Sequence, residues 1–248
     1  PSENPMADPE NPVSRPIRSF VMRKGRLTAG QERALREVLP RFRLAEGSGV
    51  LDWTAVFGND APVAMEIGIG GGEALLGMAR RHPERNWVGV EVYPPGVGKL
   101  LLGLEAGDLP NVRVAQADAV ELLEHRVPRH SLAAVYVFFP DPWPKARHHK
   151  RRLIQQPFLE LLADRLVPGG DLFLATDWGD YAEWMMEALE GSPWFVNVHG
   201  AGAFAPRCPD RPLTKFEVRG ENRGHEVYDL HYRRHPGFEV TDMRKAAL

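Results

Sequence analysis

A run of glycines set among acids carries the first chemical signal in the chain. Glu66-Ile67-Gly68-Ile69-Gly70-Gly71-Gly72-Glu73 reads as a turn from an apolar strand into a helix. The dinucleotide fingerprint asks for a third glycine where Glu73 stands, and a carboxylate there would face a pyrophosphate, which disfavours NAD and FAD. S-adenosyl-L-methionine has no phosphate and carries a sulfonium and an ammonium group, so acids around Gly68 and Gly70 become an asset, and Glu66 and Glu73 suit it. Glu91 lies 19 residues beyond Gly72, at the end of the next apolar run, where a carboxylate accepts from ribose hydroxyls. NAD would use the same position. Asp118 follows a third apolar run and suits an adenine amino group. Each acid alone is as readily an N-cap or a solvated strand end; three acids ending three successive strands are harder to dismiss.

A second constellation follows a fourth apolar run, in Phe139-Pro140-Asp141-Pro142-Trp143-Pro144-Lys145. Prolines restrict themselves and their predecessors, so Asp141 is expected in an extended, rigid geometry suited to positioning a substrate. Trp143 is open to two readings, a core plug or a stacking surface for a base. The run Lys145, Arg147, His148, His149, Lys150, Arg151 and Arg152 is placed at the start of a helix, where the dipole disfavours cations. Such a cluster beside an active-site strand points to a polyanion more than to a solvated face. Adjacent histidines rarely share a metal, and no Cys or acid completes a set, so no metal is expected. Asp177 ends a fifth apolar run. Arg211 to Glu217 mixes hydroxyl, cation and carboxylate in a way that fits a base edge or a plain edge strand equally.

The composition bounds these readings. In 248 residues, 43% hydrophobic and 26% charged, no apolar stretch approaches a membrane span, so no membrane association is expected. The Pro-rich start has neither a secretory apolar run nor a transit-peptide bias, which makes a cytoplasmic location the expectation. Cys208 is the single cysteine and excludes an internal disulfide. The net charge of -2 hides an uneven distribution, with basic residues gathered at 15–26 and 145–152.

The elements that must position these residues follow from periodicity. Thr28 is placed to cap a helix over 29–38, with Gln31 completing a capping box and Pro40 ending it; 46–60 reads as a connection. Strands are expected over 63–67, 87–92, 112–117, 133–139 and 172–176, and helices over 73–81, 96–105, 119–124, 152–166 and 181–189. Segments 194–198 and 227–233 suggest an antiparallel pair. The alternation predicts an α/β fold, a mostly parallel, Rossmann-like seven-stranded sheet with helices on both faces, and with the S-adenosyl-L-methionine reading of its acids the expected class is that of the class I methyltransferases. The division expected is residues 1–60 as a partly flexible, basic N-terminal extension and 61–248 as the methyltransferase domain.

These residues resemble the bacterial tRNA (guanine-N(7)-)-methyltransferases across most of the chain from Arg15 to Arg233. The motifs that carry the resemblance are Arg18-Ser19-Phe20 with Gly25-Arg26-Leu27-Thr28, Glu66-Ile67-Gly68, Gly89-Val90-Glu91-Val92, Phe139-Pro140-Asp141-Pro142-Trp143 with Lys145 and Arg147-His148, and Thr214-Lys215-Phe216-Glu217. The resemblance implies that Glu66, Glu91, Asp118 and Asp141 surround S-adenosyl-L-methionine, with Asp141 the active-site residue. It implies tRNA contacts by Lys145, Asp177, Thr214, Lys215, Phe216 and Glu217, with 147–152 as an RNA-binding stretch. The implied reaction is methylation of nitrogen 7 of guanine 46 in the variable loop of tRNA. That nitrogen has an in-plane lone pair, so alignment replaces deprotonation, and Asp141 is the candidate to orient the guanine. A monomer and a homodimer stay equally open.

Three rival readings differ in what they require. An exocyclic-amine methyltransferase would normally place two prolines between the acid and the aromatic residue, whereas Pro142 stands alone. A non-catalytic RNA-binding protein would have no need of the acids at 66, 91 and 118. A dehydrogenase is disfavoured by Glu73.

Overall fold

The computed structural model describes residues 19–20, 25–44, 47–213 and 226–237. Thr28 caps α1 (Ala29–Glu37) with a reciprocal box: its hydroxyl accepts from Gln31 N–H while the Gln31 side chain accepts from Thr28 N–H. Pro40 does not end helical structure. It sits in the first turn of a short α2 (Leu39–Phe42), where a missing N–H costs nothing. The expected connection at 46–60 also contains a helix, α3 (Trp53–Phe57), capped by Asp52 and closed by left-handed Gly58. Five residues are too few for an apolar period to announce it.

The central unit then runs β1 (Val63–Ile67), α4 (Glu73–Arg81), β2 (Asn86–Val90), α5 (Pro94–Gly107), β3 (Val112–Ala115), α6 (Ala119–His125) and β4 (Leu132–Phe138). A 3₁₀ helix (Ala146–Arg151) precedes α7 (Gln156–Arg165), β5 (Leu166–Thr176), α8 (Gly179–Glu190), β6 (Phe195–Asn197) and β7 (Tyr228–Arg234). The seven strands are ordered β3-β2-β1-β4-β5-β7-β6; the first five pair in parallel, and β7 is antiparallel to both β5 and β6, as the last two apolar segments suggested. Chain order reverses between β1 and β4, which opens a crevice beyond their carboxyl ends.

Alternate β residues feed two apolar layers. Val63, Met65 and Ile67 of β1 join Leu122, Phe158, Leu162 and Tyr181 on one face, while Ala64 joins Leu75, Met78, Leu100 and Leu104 on the other. The second layer includes Ala34, Val38 and Phe42 of α1 and α2, so residues before 60 contribute to the same core. Leu44 N–H donates to Val114 O and extends the β3 edge. Among the described residues, no helix is long and apolar enough to cross a membrane.

One expectation fails with consequence. The helix expected over 152–166 begins only at Gln156, with Pro157 in its first turn, because Gln155 is extended and Ile154 N–H is taken by the Tyr181 hydroxyl. The basic residues form their own 3₁₀ turn, so they do not oppose the α7 dipole, and contrary to the expectation from sequence the dipole gives no reason for a polyanion there.

Candidate functional site

The glycine turn is built as its sequence requires. Gly68, Gly70 and Gly72 all have positive φ (75°, 53° and 79°), conformations an L side chain resists, and nothing lies within 4 Å of where a Cβ would sit at Gly68 or Gly70. Gly96 is a member of the turn that the sequence reading missed. A Cβ there would collide with the Gly70 carbonyl, so α5 packs against the turn through this glycine. Its position two residues into a helix opened by Pro94 and Pro95 was the available signal.

Glu91 anchors the turn. Its Oε2 accepts from Gly70 N–H at 3.0 Å, and its Oε1 accepts from Val92 and Tyr93 N–H at 2.8 and 2.9 Å. An ionised carboxylate offers about four acceptor positions, so roughly one stays open to a further donor. Asp118 caps α6 through Val120 N–H at 2.9 Å while lining the cavity, so the N-cap and ligand readings are compatible. Glu73 faces outward in an ion pair with Lys99.

Of these groups Gly68, Glu91 and Asp118 line a cavity of about 220 Å³ at the carboxyl ends of β1, β2, β3 and β4, while Gly70 is held by Glu91 outside its lining. Gly68, Glu91, Asp118 and Asp141 lie on its wall together with apolar Ile67, Val90 and Val137, and among the described residues no lysine or arginine does. Ser19 and Phe20 also line it, brought there by the Trp143 indole N–H, which donates to Ser19 O at 3.0 Å. Trp143 is thus neither a core plug nor a free ring: it is half-buried, with the Arg151 guanidinium 4.9 Å from its centroid and His148 edge-on. His149 packs instead against Trp184, so the two imidazoles diverge.

Glu66 lies beneath the turn rather than on the cavity wall. It is 2% exposed, on the face of β1 that packs against α4. Burial, reinforced by the charges of Glu91 and Glu73, pushes its carboxyl up to about 8, against a lowering bond from the Leu75 backbone. Oε2 has no hydrogen-bond partner among the described residues. A buried acid with an orphaned oxygen, open space over two glycines and a wall whose charged residues among those described are all acids fit a cationic nucleoside without phosphate. S-adenosyl-L-methionine answers that description.

The loop after β4 is bent. Phe139 and Trp143 both have positive φ (53° and 48°), an uncommon choice for aromatic residues, and they bracket an exposed Asp141. Lys145, Arg147 and Lys150 are exposed beside it, and Arg151, His148 and His149 are half-buried. Arg152 departs from the expected role as an RNA contact. It is 1% exposed, its Nε donates to Pro142 O at 3.0 Å, and its Nη2 pairs with Asp180. The cationic surface therefore ends at Arg151. Asp177 is exposed at the end of β5. Thr214, Lys215, Phe216 and Glu217 lie outside the described residues, as do Arg15, Arg18, Arg23 and Lys24.

A family model described as a putative methyltransferase matches residues 60–230. A tRNA (guanine-N(7)-)-methyltransferase of Halorhodospira halophila (strain DSM 244 / SL1) is 56% identical over 223 residues, covering 90% of this chain and 96% of that protein. Proteins of the same name from Alkalilimnicola ehrlichii (strain ATCC BAA-1101 / DSM 17681 / MLHE-1) and Vibrio parahaemolyticus serotype O3:K6 (strain RIMD 2210633) are 54% and 50% identical; they cover 90% and 89% of this chain, and 95% and 92% of their own lengths. Among solved structures, the 16S rRNA methyltransferase KamB matches with a TM-score of 0.53 at 17% identity, over 79% of this chain and 99% of that one. The antibiotic-resistance methyltransferase Kmr matches at 0.51 and 18%, with the same coverage. At such identities the likeness concerns the fold, and it agrees with the strand order: this is the class I S-adenosylmethionine-dependent methyltransferase fold. With half or more of its residues shared with curated relatives along nine-tenths of its length, the chain belongs to the tRNA (guanine-N(7)-)-methyltransferase family.

Proposed function

We infer that this chain transfers a methyl group from S-adenosyl-L-methionine to nitrogen 7 of guanine 46 in the variable loop of tRNA, giving 7-methylguanosine. The observation that carries the reading is one cavity lined by Glu91, Asp118 and Asp141 with no lysine or arginine on its wall among the described residues, opening beside exposed Lys145, Arg147 and Lys150. Acids inside and cations outside sort a cationic cofactor from a polyanionic substrate.

When bound, S-adenosyl-L-methionine supplies a methyl group made electrophilic by its sulfonium sulfur. Glu91 accepts from a ribose hydroxyl with its remaining capacity, and Asp118 from the adenine amino group. Glu66 contributes negative charge beneath the turn. Asp141 accepts from the donor edge of the guanine, turning its nitrogen 7 lone pair toward the methyl group, and it faces the positive charge that arrives on the base. No residue need remove a proton before transfer. Exposed Lys145, Arg147 and Lys150 hold phosphates, with His148, His149 and Arg151 at the margin. Asp177 and Thr214 to Glu217 complete the acceptor side.

The acceptor position is tested with tRNA transcripts that differ only at residue 46. Methylation of the guanosine form and none of the adenosine form supports the reading; equal methylation of both places the acceptor elsewhere.

A further inference from the structure

Arg152 is too deeply placed to serve as an RNA contact, yet it is elaborately engaged. Its side chain is fully buried, and the guanidinium packs against the rings of Tyr181 and Trp184, 4.9 and 5.0 Å from their centroids. Nε donates to the Pro142 carbonyl at 3.0 Å and Nη2 pairs with Asp180 at the start of α8, while Nη1 is buried without a partner among the described residues. The same helix secures the residues that follow: the Trp184 indole N–H donates to Ile154 O at 2.7 Å, and Ile154 N–H donates to the Tyr181 hydroxyl at 3.2 Å. Leu153, between these anchors, lines the cavity.

The Pro142 carbonyl belongs to the residue directly after Asp141, in a loop bent through left-handed Phe139 and Trp143. Asp141 itself is exposed and makes no hydrogen bond among the described residues. Such a loop needs an outside reference to hold its acid in one place, and a planar fork with two fixed donor directions supplies one. We propose that Arg152 is a positioning residue for Asp141: it ties the Pro142 carbonyl to α8 and so sets where the carboxylate meets the acceptor base. The arginine that sequence would assign to RNA acts instead through the active-site loop.

The proposal rests on Asp141 acting at the acceptor, so an Asp141→Ala variant is measured alongside. Arg152→Lys and Asp180→Ala are compared with wild type for kcat at saturating tRNA, normalised to the fraction that binds S-adenosyl-L-methionine, and for the salt dependence of tRNA affinity. Asp180 is largely exposed and Asp180→Ala leaves the Arg152 bond to the Pro142 carbonyl in place, so it supplies a second variant, and normalising to the cofactor-binding fraction removes molecules that fail to fold. The expected result is a fall in kcat of tenfold or more for Arg152→Lys and a smaller fall for Asp180→Ala. Cofactor affinity stays within about threefold, and the salt slope is unchanged. Lysine serves a phosphate as a point charge, so a lysine variant with wild-type kcat overturns the proposal. In an Arg152→Ala variant, where no cation remains, a salt slope shallower by nearly one ion overturns it too, because that is the mark of a lost phosphate contact. Wild-type kcat in Asp141→Ala removes the underlying reading of Asp141 instead.

Discussion

Replacing Glu66 with glutamine is expected to stabilise the cofactor-free protein while weakening its hold on S-adenosyl-L-methionine. Burial raises the Glu66 carboxyl from 4.5 to about 8. In the unfolded chain it loses its proton near 4.5, so between those values the folded state binds the extra proton and stability falls as pH rises. Below about pH 4.5 both states are protonated and the cost vanishes; above about pH 8 it is complete. Each pH step is worth ~1.4 kcal/mol, which puts the cost at ~3 kcal/mol by pH 7. A glutamine never ionises and escapes it. With ~2–4 °C of Tm per kcal/mol for a chain of this size, the variant's Tm should pull ahead of wild type by several degrees between pH 5 and pH 8. Cofactor affinity should move the other way, down about tenfold or more, because the negative charge that the carboxylate can place beneath the turn, close to a cationic ligand, is lost. Wild-type binding should also release protons below pH 8, visible by calorimetry in buffers of different ionisation enthalpy. A Tm difference that stays constant from pH 5 to pH 8 would refute the reasoning, since no titrating group would then distinguish the two proteins.

Asp141→Ala should lower kcat by about a hundredfold, the scale of a lost transition-state contact, and leave cofactor affinity within about threefold; equal loss in both makes it a cofactor ligand only. Gly96→Ala should weaken cofactor binding and lower Tm, because its methyl group displaces the Gly70 backbone; an unchanged binding isotherm counts against a rigid turn. Arg147→Ala with Lys150→Ala should weaken tRNA binding and flatten its salt dependence by up to two ions, with cofactor affinity intact. Thr28→Ala breaks the capping box of α1 and should cost ~1 kcal/mol, or ~2–4 °C of Tm in thermal melts.

The strands were legible because alternate burial and long apolar runs are properties of the local sequence, and the acids ending them followed at once. Element ends were less so: Glu91 leaves β2 because its own carboxylate captures the next two backbone N–H groups. The basic run illustrates the limit most clearly. Charge, the expected helix start and the family resemblance assigned Arg152 to RNA along with Lys150, and only the three-dimensional placement of Tyr181, Trp184 and Asp180, some thirty residues later, separates them. Trp143 and Ser19 are likewise joined across 124 residues by a single indole bond. Glu66 was legible as an acid at the turn, but its burial follows from packing between α4 and β1, which no spacing reveals.

The most direct test is methyl transfer from labelled S-adenosyl-L-methionine to unmodified tRNA, with nucleoside analysis of the product. The account predicts label in 7-methylguanosine from the variable loop, lost on Asp141→Ala. Label in any other nucleoside, or full incorporation by the Asp141→Ala variant, would contradict it.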